Sequence, residues 1–556
     1  MEQKTLPITD KTFQAIRRGN FLYADKTKYI YEILNVDKLS YCFLSRPRRF
    51  GKTLLLDTIG ELFQGDRELF RGLWIDSSDY SFENHPVLKF KMNYGDTTTK
   101  KKLIKNIKDD LLEFSVAQNV PLSSKSYDRM LKQLLAGLYA KHNVGVVILV
   151  DEYDFPVTKH ILNENLALDN CEVLHDFYMA LKKNIEYIHF VFVTGITRFA
   201  MTALDSGPNS FKDISLISKY SGICGFTKTE LVTHFSDRFE KTLDFLKSKG
   251  EIALNAGSTE LKEKILDWYD GYNWFGEEDI FNPYSINNFF YENNFGEYWT
   301  LLGMPSHLRA LVRENPLDFI HPKLESYTTA EIRKSELINL NPVPILFHSG
   351  YLTIGPETTK KELVEGEMTD VKSYILRMPN REVREGYKTY LFQGAFDPRD
   401  KYFTNFAKKL PIALLETNSG ETAKILHNLL AAISSEQHEP SEKHYHAVLQ
   451  SAFIAVGLEV LGQTPSSAHG KSDMTVLFDG KIRVVIEVKY CKSDKKQGKV
   501  DKVGGENELS AALDKAEEQI RSKDYAAPFR VAGCKVIGVA LAVRGRDEVA
   551  VRFIEP

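Results

Sequence analysis

The chain has few cysteines, no paired-cysteine motif, no long apolar run and no surplus of charge of either sign. Its five cysteines (Cys42, Cys171, Cys224, Cys491 and Cys534) stand apart, with no C-x-x-C spacing. That argues against a zinc site and against a disulfide framework, and for reduced, packed thiols. No apolar stretch approaches the ~20 residues needed to cross a bilayer. The opening MEQKTLPITDKTF carries charges and lacks the apolar segment of a secretory signal. A soluble, cytoplasmic protein with no membrane partner is expected. The net charge of −3 leaves no global electrostatic signature, so any surface for nucleic acid must be local. No internal repeat or low-complexity tract is present. What is there, 43% hydrophobic and 26% charged residues, is ordinary globular usage.

The 556 residues exceed the roughly 250–300 at which one core stops growing, so two or three domains are expected. Residues 1–235 alternate apolar runs with amphipathic helical patterns. The runs are Ser40–Ser45, Val87–Met92, Val144–Val150 and Ile188–Thr194. Continuous apolar strands of this kind suit a parallel sheet covered on both faces, hence an α/β doubly wound domain. Residues 236–355 read as a helical, aromatic-rich lid or middle domain. Residues 356–400 are polar and poorly periodic and read as a hairpin or linker, with the main boundary near them. Residues 401–556 return to mixed helix and strand.

The first constellation begins with FLSRPRRFGKTLLL, where a strand meets a helix. Gly51, Lys52 and Thr53 form the end of a phosphate-binding loop. The glycine frees backbone N–H groups, the lysine neutralises phosphate charge and the threonine hydroxyl ligates Mg²⁺. The pattern G-x-x-x-x-G-K-[ST] wants glycine at position 46, and this chain has Arg46. Arg46, Arg48 and Arg49 would hold phosphate through guanidinium forks instead, with Pro47 and Phe50 completing the loop. The plain alternative is a helix start that happens to read Gly-Lys-Thr. Against it, a second buried strand ends in Asp151 and Glu152. Asp151 would support Mg²⁺ and Glu152 would polarise the attacking water. A third strand ends at Thr194, where a polar group can sense phosphate, followed by Arg198. A surface arginine is an equal reading of Arg198.

The run NFLYADKTKYI, FLSRPRRFGKTLLL, VDEYDFPV and VTGITRFA resembles the AAA-ATPase-like family that carries the variant loop SRPRRFGK[ST]. The similarity continues through GYNWFGEEDIFNPYSINNFF and LFHSGYLTI and so covers most of residues 5–355. It implies a P-loop NTPase fold with ATP and Mg²⁺ at Lys52, Thr53 and Asp151. It also makes Arg46 a family feature. Asp25 matches a family position to which no role is assigned.

The second constellation lies near the carboxyl end. Ser472–Phe478 and Lys481–Tyr490 are β-rich runs on either side of Asp479-Gly480, a strong hairpin signal. Side chains alternate along a strand, so Val485, Glu487 and Lys489 share one face, and the hairpin brings Asp473 beside Glu487. Two carboxylates make an oxygen site for a hard cation. Lys489 would hold the attacking water or the developing oxyanion. A solvated Glu–Lys pair is the ordinary reading of E-x-K, but the flanks VVIEVKY are too apolar for an open edge. Upstream, Glu442 would reach the metal from a helix, with His446 one turn on as a packing residue or a ligand. Downstream, Gln519 points to the site or into solvent. The basic run Lys489–Lys502 reads as a solvated loop or as a phosphate-tracking one.

These segments, with EKHYHAVLQ before and ALDKAEEQIRSKDY after, resemble the PD-(D/E)XK nuclease domain commonly fused to the same ATPase family. The resemblance implies a C-terminal α/β restriction-endonuclease-like domain. Glu442, Asp473, Glu487, Lys489 and Gln519 carry over, and Lys471 fits a basic position of the pattern. The resulting expectation is an ATP-dependent or ATP-gated nuclease using Mg²⁺, or Mn²⁺ at the cutting site, on nucleic acid with DNA favoured. A nucleotide switch that binds nucleic acid without cutting is the rival, and a stand-alone nuclease with an oligomerising ATPase half is another. A homo-oligomer stays open, with Arg198 acting in cis or across a subunit boundary.

Overall fold

The computed structural model describes residues 3–198, 211–314, 319, 326–333, 341–364, 367–387, 401–432, 441–455, 458–462, 465–467, 470–478, 481–491, 502–545 and 548–555, some by backbone alone. It divides into two compact units. The first spans Met1–Leu311 and Pro322–Tyr387, the second Val312–His321 and Lys388–Pro556.

The first unit is built on a parallel sheet of β1 (Tyr41–Ser45), β2 (Val87–Lys91), β3 (Val146–Asp151), β4 (Ile188–Gly195) and β5 (Lys212–Asp213), in the order β2-β3-β4-β1-β5. Every residue of β1 and β3 is buried, as a sheet covered on both faces requires. The helix Lys52–Phe63 follows β1 directly and packs on β2, β3 and β4. Because β4 is inserted between β1 and β3, three strand ends that carry polar residues meet at one edge.

Residues 228–292 form helices Lys228–Ser248, Ser258–Tyr269 and Pro283–Glu292. Their shared core is largely aromatic, with Phe235 stacked on Phe290 at 4.8 Å between ring centres and Tyr269 against Phe289. Within the stretch 356–400 assigned to a hairpin or linker, the chain makes a long antiparallel hairpin. Its strands are β7 (Thr353–Val364) and β8 (Glu367–Arg377), and β6 (Ser326–Tyr327) joins β8. The cross-strand ladder satisfies the backbone where the side chains are too polar to make a core.

The second unit holds a small pair, β10 (Pro465–Ser467) with β11 (Gly470–Lys471), and a mixed five-stranded sheet. The sheet contains β9 (Glu459–Gly462), β12 (Met474–Phe478), β13 (Ile482–Cys491), β14 (Lys535–Arg544) and β15 (Glu548–Ile554), in the order β15-β14-β13-β12-β9. Only the β13–β14 pair is parallel. Alternation along β13 divides the core. Val484, Ile486 and Val488 pack with Leu449 and Phe453 of the helix Glu442–Ala455. On the opposite face Val485 packs with Ile520 and Tyr525. There the helix Lys502–Ser522 approaches β14 through small residues, Ala512 and Ala516 against Ala540 and Ala542.

Candidate functional site

In the first unit the phosphate-binding loop ends at Gly51, which takes φ 95° at the start of the helix Lys52–Phe63. Arg49 is also left-handed, with φ 65°. Glycine accepts that conformation without cost, and the free N–H groups of the following turn make an anion site. Lys52 is buried, and its ammonium donates to the carbonyls of Arg46 and Pro47 at 2.9 Å each. Burial lowers its pKa, partly opposed by Asp151. The Thr53 hydroxyl donates to Asp151 Oδ2 and the Thr194 hydroxyl to Oδ1, both at 2.7 Å. The start of one helix and the end of β4 thus hold the carboxylate at the end of β3. Glu152 follows with φ 51°, and burial raises its carboxyl above the ordinary value, with Lys52 opposing. Arg48, Arg49, Phe50, Gly51, Lys52, Thr53, Asp151 and Glu152 all line one cavity of about 690 Å³, a volume typical of small-ligand sites.

Three residues expected at the phosphates sit elsewhere, and Thr194, expected to sense them, also lies outside the cavity lining. The Arg46 side chain turns inward. Its guanidinium donates to the carbonyls of Ser45, Ser215, Tyr220 and Ser221 at 2.8–3.3 Å. It also lies 4.2 Å from the Trp274 ring centre. Five donors in a rigid fork are well suited to capping carbonyls in a buried pocket, so this arginine anchors the loop from behind instead of gripping phosphate. Pro47 packs against Gly350, where an added Cβ would fall 2.7 Å from the proline Cβ. Arg198 pairs with Asp213 and lies outside the cavity lining.

Sequence reasoning missed several partners. The Trp299 indole donates to the Arg48 carbonyl at 3.0 Å, and Phe50 meets Tyr272 and Trp274 edge-on. The aromatic middle region therefore clamps the loop. Asp154 accepts from the Ile196 and Thr197 amides and from the Thr197 hydroxyl, which ties the segment after β3 to the segment after β4. The third acid of DEYD, Asp154, carries no sequence signal that separates it from a surface charge. Asp25 accepts from the Thr27 amide and hydroxyl and from the Trp74 amide. Its role is to hold the amino-terminal approach to the domain.

In the second unit, β12 and β13 pair with Met474 opposite Ile486, so Asp473 comes beside Glu487. Asp473 Oδ2 accepts from the Val488 amide at 2.9 Å. The next turn, residues 479–480, lies outside the described residues, as do most of the basic run (492–501) and the Lys471 side chain. Glu487 is 0% exposed. Its Oε1 accepts from Lys489 at 3.0 Å, while its Oε2 is buried with no hydrogen-bond partner. Burial first, then the Asp473 charge, pushes its carboxyl up to about 7. Burial alone would lower the Lys489 ammonium, but Glu487, with Glu442 and Asp473 behind it, raises it. Glu442 reaches Lys489 at 3.4 Å.

Two residues of this group lie to one side. His446 Nε2 bonds the Asp473 carbonyl, so it positions the strand entry as a hydrogen-bonding residue. The Gln519 amide donates to the Tyr525 hydroxyl at 3.0 Å. Among the described residues no three His, Cys, Asp or Glu side chains form a ready-made metal cage. Asp473 and the orphaned Glu487 oxygen nevertheless suit a hard cation that keeps open positions. All five cysteines are free, and no helix among the described residues is long and apolar enough to cross a membrane.

Comparison with known proteins finds a domain match around each of these groups. Residues 7–205 match a family described as predicted AAA-ATPase, and residues 440–553 match the PD-(D/E)XK nuclease superfamily. The two domains imply use of a nucleotide and of a divalent metal. An uncharacterised protein in the vnfD 5′ region of Azotobacter chroococcum mcd 1 is 30% identical over 560 residues, covering 99% of this chain and 98% of that one. Domain matches at both ends and a full-length relative lead to one conclusion: the chain belongs to one family with that relative and joins an AAA-ATPase-like domain to a C-terminal PD-(D/E)XK nuclease superfamily domain.

Proposed function

We infer that the protein hydrolyses phosphodiester bonds of nucleic acid, with DNA as the favoured substrate, at Asp473, Glu487 and Lys489, and that ATP at the phosphate-binding loop drives or gates the cutting. The observation that carries this reading is the Glu487 carboxylate. It has one oxygen on Lys489 and the other buried without a partner. A buried carboxylate oxygen left without a hydrogen bond costs about 1–3 kcal/mol or more, and stability alone gives no reason to keep one. A divalent cation, Mg²⁺ or Mn²⁺, would acidify a bound water and offset charge on the scissile phosphate.

The chain's own residues do the rest. The Val488 amide fixes the Asp473 carboxylate, and Lys489 presents an ammonium at the attacking side, steadied by Glu487 and Glu442. In the other unit, Lys52 exchanges two loop carbonyls for phosphate oxygens. Thr53 and Thr194 orient Asp151, and Glu152, in the cavity lining, would accept a proton from the attacking water.

Plasmid cleavage by the purified chain tests the reading, with Mg²⁺ or Mn²⁺ and with or without ATP. Wild type is expected to nick or linearise the plasmid and EDTA to stop it. Lys489→Ala should cut at least ~100-fold more slowly, the scale of losing a transition-state charge. Lys52→Ala should lose ATP turnover and, with it, nucleotide-stimulated cutting. No cutting by wild type under either metal would leave a nucleotide switch in place of a nuclease.

A further inference from the structure

The overall charge of the chain offers no hint of where nucleic acid would bind, and the one basic run in the sequence lies mostly beyond the described residues. The first unit does carry a local surface of the required kind. A cleft of about 550 Å³ opens between the amino-terminal segment and the helices Lys228–Ser248 and Pro283–Glu292. Four cations line it, Lys4, Lys11, Arg238 and Lys241, and among the described residues no aspartate or glutamate does. Asp237 touches Arg238 Nε at 4.0 Å but lies outside the lining. The cations come as two pairs from distant parts of the sequence, so no single charge run announces them.

The cleft is also aromatic. Tyr291 is 60% exposed at its wall, so its ring is available to a ligand. Phe21 lies beneath the Lys11 ammonium, 4.5 Å from ring centre to nitrogen. Arg238 donates to the Lys4 carbonyl, so part of the cationic set is held in place before any ligand arrives. Clustered cations select phosphates, and an open ring face selects an unstacked base. The enclosed volume is that of a small-ligand site and not of a duplex-wide groove.

We propose that this cleft binds single-stranded nucleic acid, with backbone phosphates on Lys4, Lys11, Arg238 and Lys241 and a base against Tyr291. The proposal rests on the nuclease reading for its choice of ligand: a chain that cuts nucleic acid needs contacts that hold the strand. The site would give affinity without sequence preference, because phosphates and ring faces are common to every base.

The test is fluorescence anisotropy of a labelled oligothymidylate of about 20 nucleotides with the full chain, in EDTA so that nothing is cut. Lys11 also lines the nucleotide cavity and is left alone. Lys4 and Lys241 are exposed and lie outside that cavity. Charge reversal of both, Lys4→Glu with Lys241→Glu, should weaken binding at least tenfold and flatten its dependence on salt. Tyr291→Ala should weaken it roughly fivefold or more with the salt slope unchanged.

Equal binding by wild type and the charge-reversed variant overturns the proposal, as does failure of wild type to bind. Loss of affinity for a mononucleotide probe with oligonucleotide binding intact also overturns it and marks a small-anion site. Plasmid cutting by wild type, measured in parallel with metal, shows separately whether the nuclease reading stands.

Discussion

Glu487 is a buried carboxyl held at strand β13 against its own charge. Its carboxyl is pushed up to about 7 by burial and by Asp473, against ~4.3 for a free glutamate. Between those values the folded protein keeps a proton that the unfolded chain has released. The stability tied to this group is therefore complete below about pH 4 and is lost as pH rises through 7. Glu487→Gln should raise resistance to urea by about 1–3 kcal/mol near pH 8 in EDTA, with little change near pH 4. Denaturation curves at the two pH values check this, and equal effects at both would contradict it. The same proton competes with the metal, so cutting at low metal should fall as pH drops below about 7 and recover when metal is raised. Arg46 makes the complementary case. Arg46→Ala strands four carbonyls and should cost about 2–4 kcal/mol by denaturation. Lys cannot reproduce the fork, so Arg46→Lys should restore little of that loss.

At the scale of elements, the sites follow from strand ends and alternation, which is why they were readable in advance. The buried runs ending at Ser45, Asp151 and Thr194 became β1, β3 and β4, and E-x-K on β13 placed Glu487 and Lys489 together. What the residues did not disclose depends on tertiary packing. Nothing local tells whether Arg46 faces a phosphate or the carbonyls of residues 215–221, because those arrive from about 170 positions away. Gln519 and Arg198 are similar: a helix or strand-end position was legible, but its partner, Tyr525 or Asp213, was not. The polar stretch around 353–377 lacked apolar alternation because its hairpin is held by backbone pairing. The close approach of the helix Lys502–Ser522 to β14 gives an element-level prediction. Ala516→Leu should overpack the alanine contact and cost roughly 1–3 kcal/mol in chemical denaturation. It should also impair cutting, because β13, beside β14, carries Glu487 and Lys489.

For the whole molecule, each unit has its own core and its own candidate site. Removing the phosphate lysine with Lys52→Ala should therefore abolish ATP turnover while leaving metal binding in the second unit unchanged. Any coupling between ATP and cutting would appear in activity and not in that affinity. The account depends above all on one divalent ion held by Asp473 and Glu487. Calorimetric titration of Mn²⁺ into the metal-free chain without nucleotide measures this directly, with Asp473→Ala, Glu487→Gln and Thr53→Ala as comparisons. The predicted result is one site in wild type and Thr53→Ala, with affinity at least tenfold weaker in the other two. Equal Mn²⁺ binding by all four proteins, or no site in wild type, would contradict it.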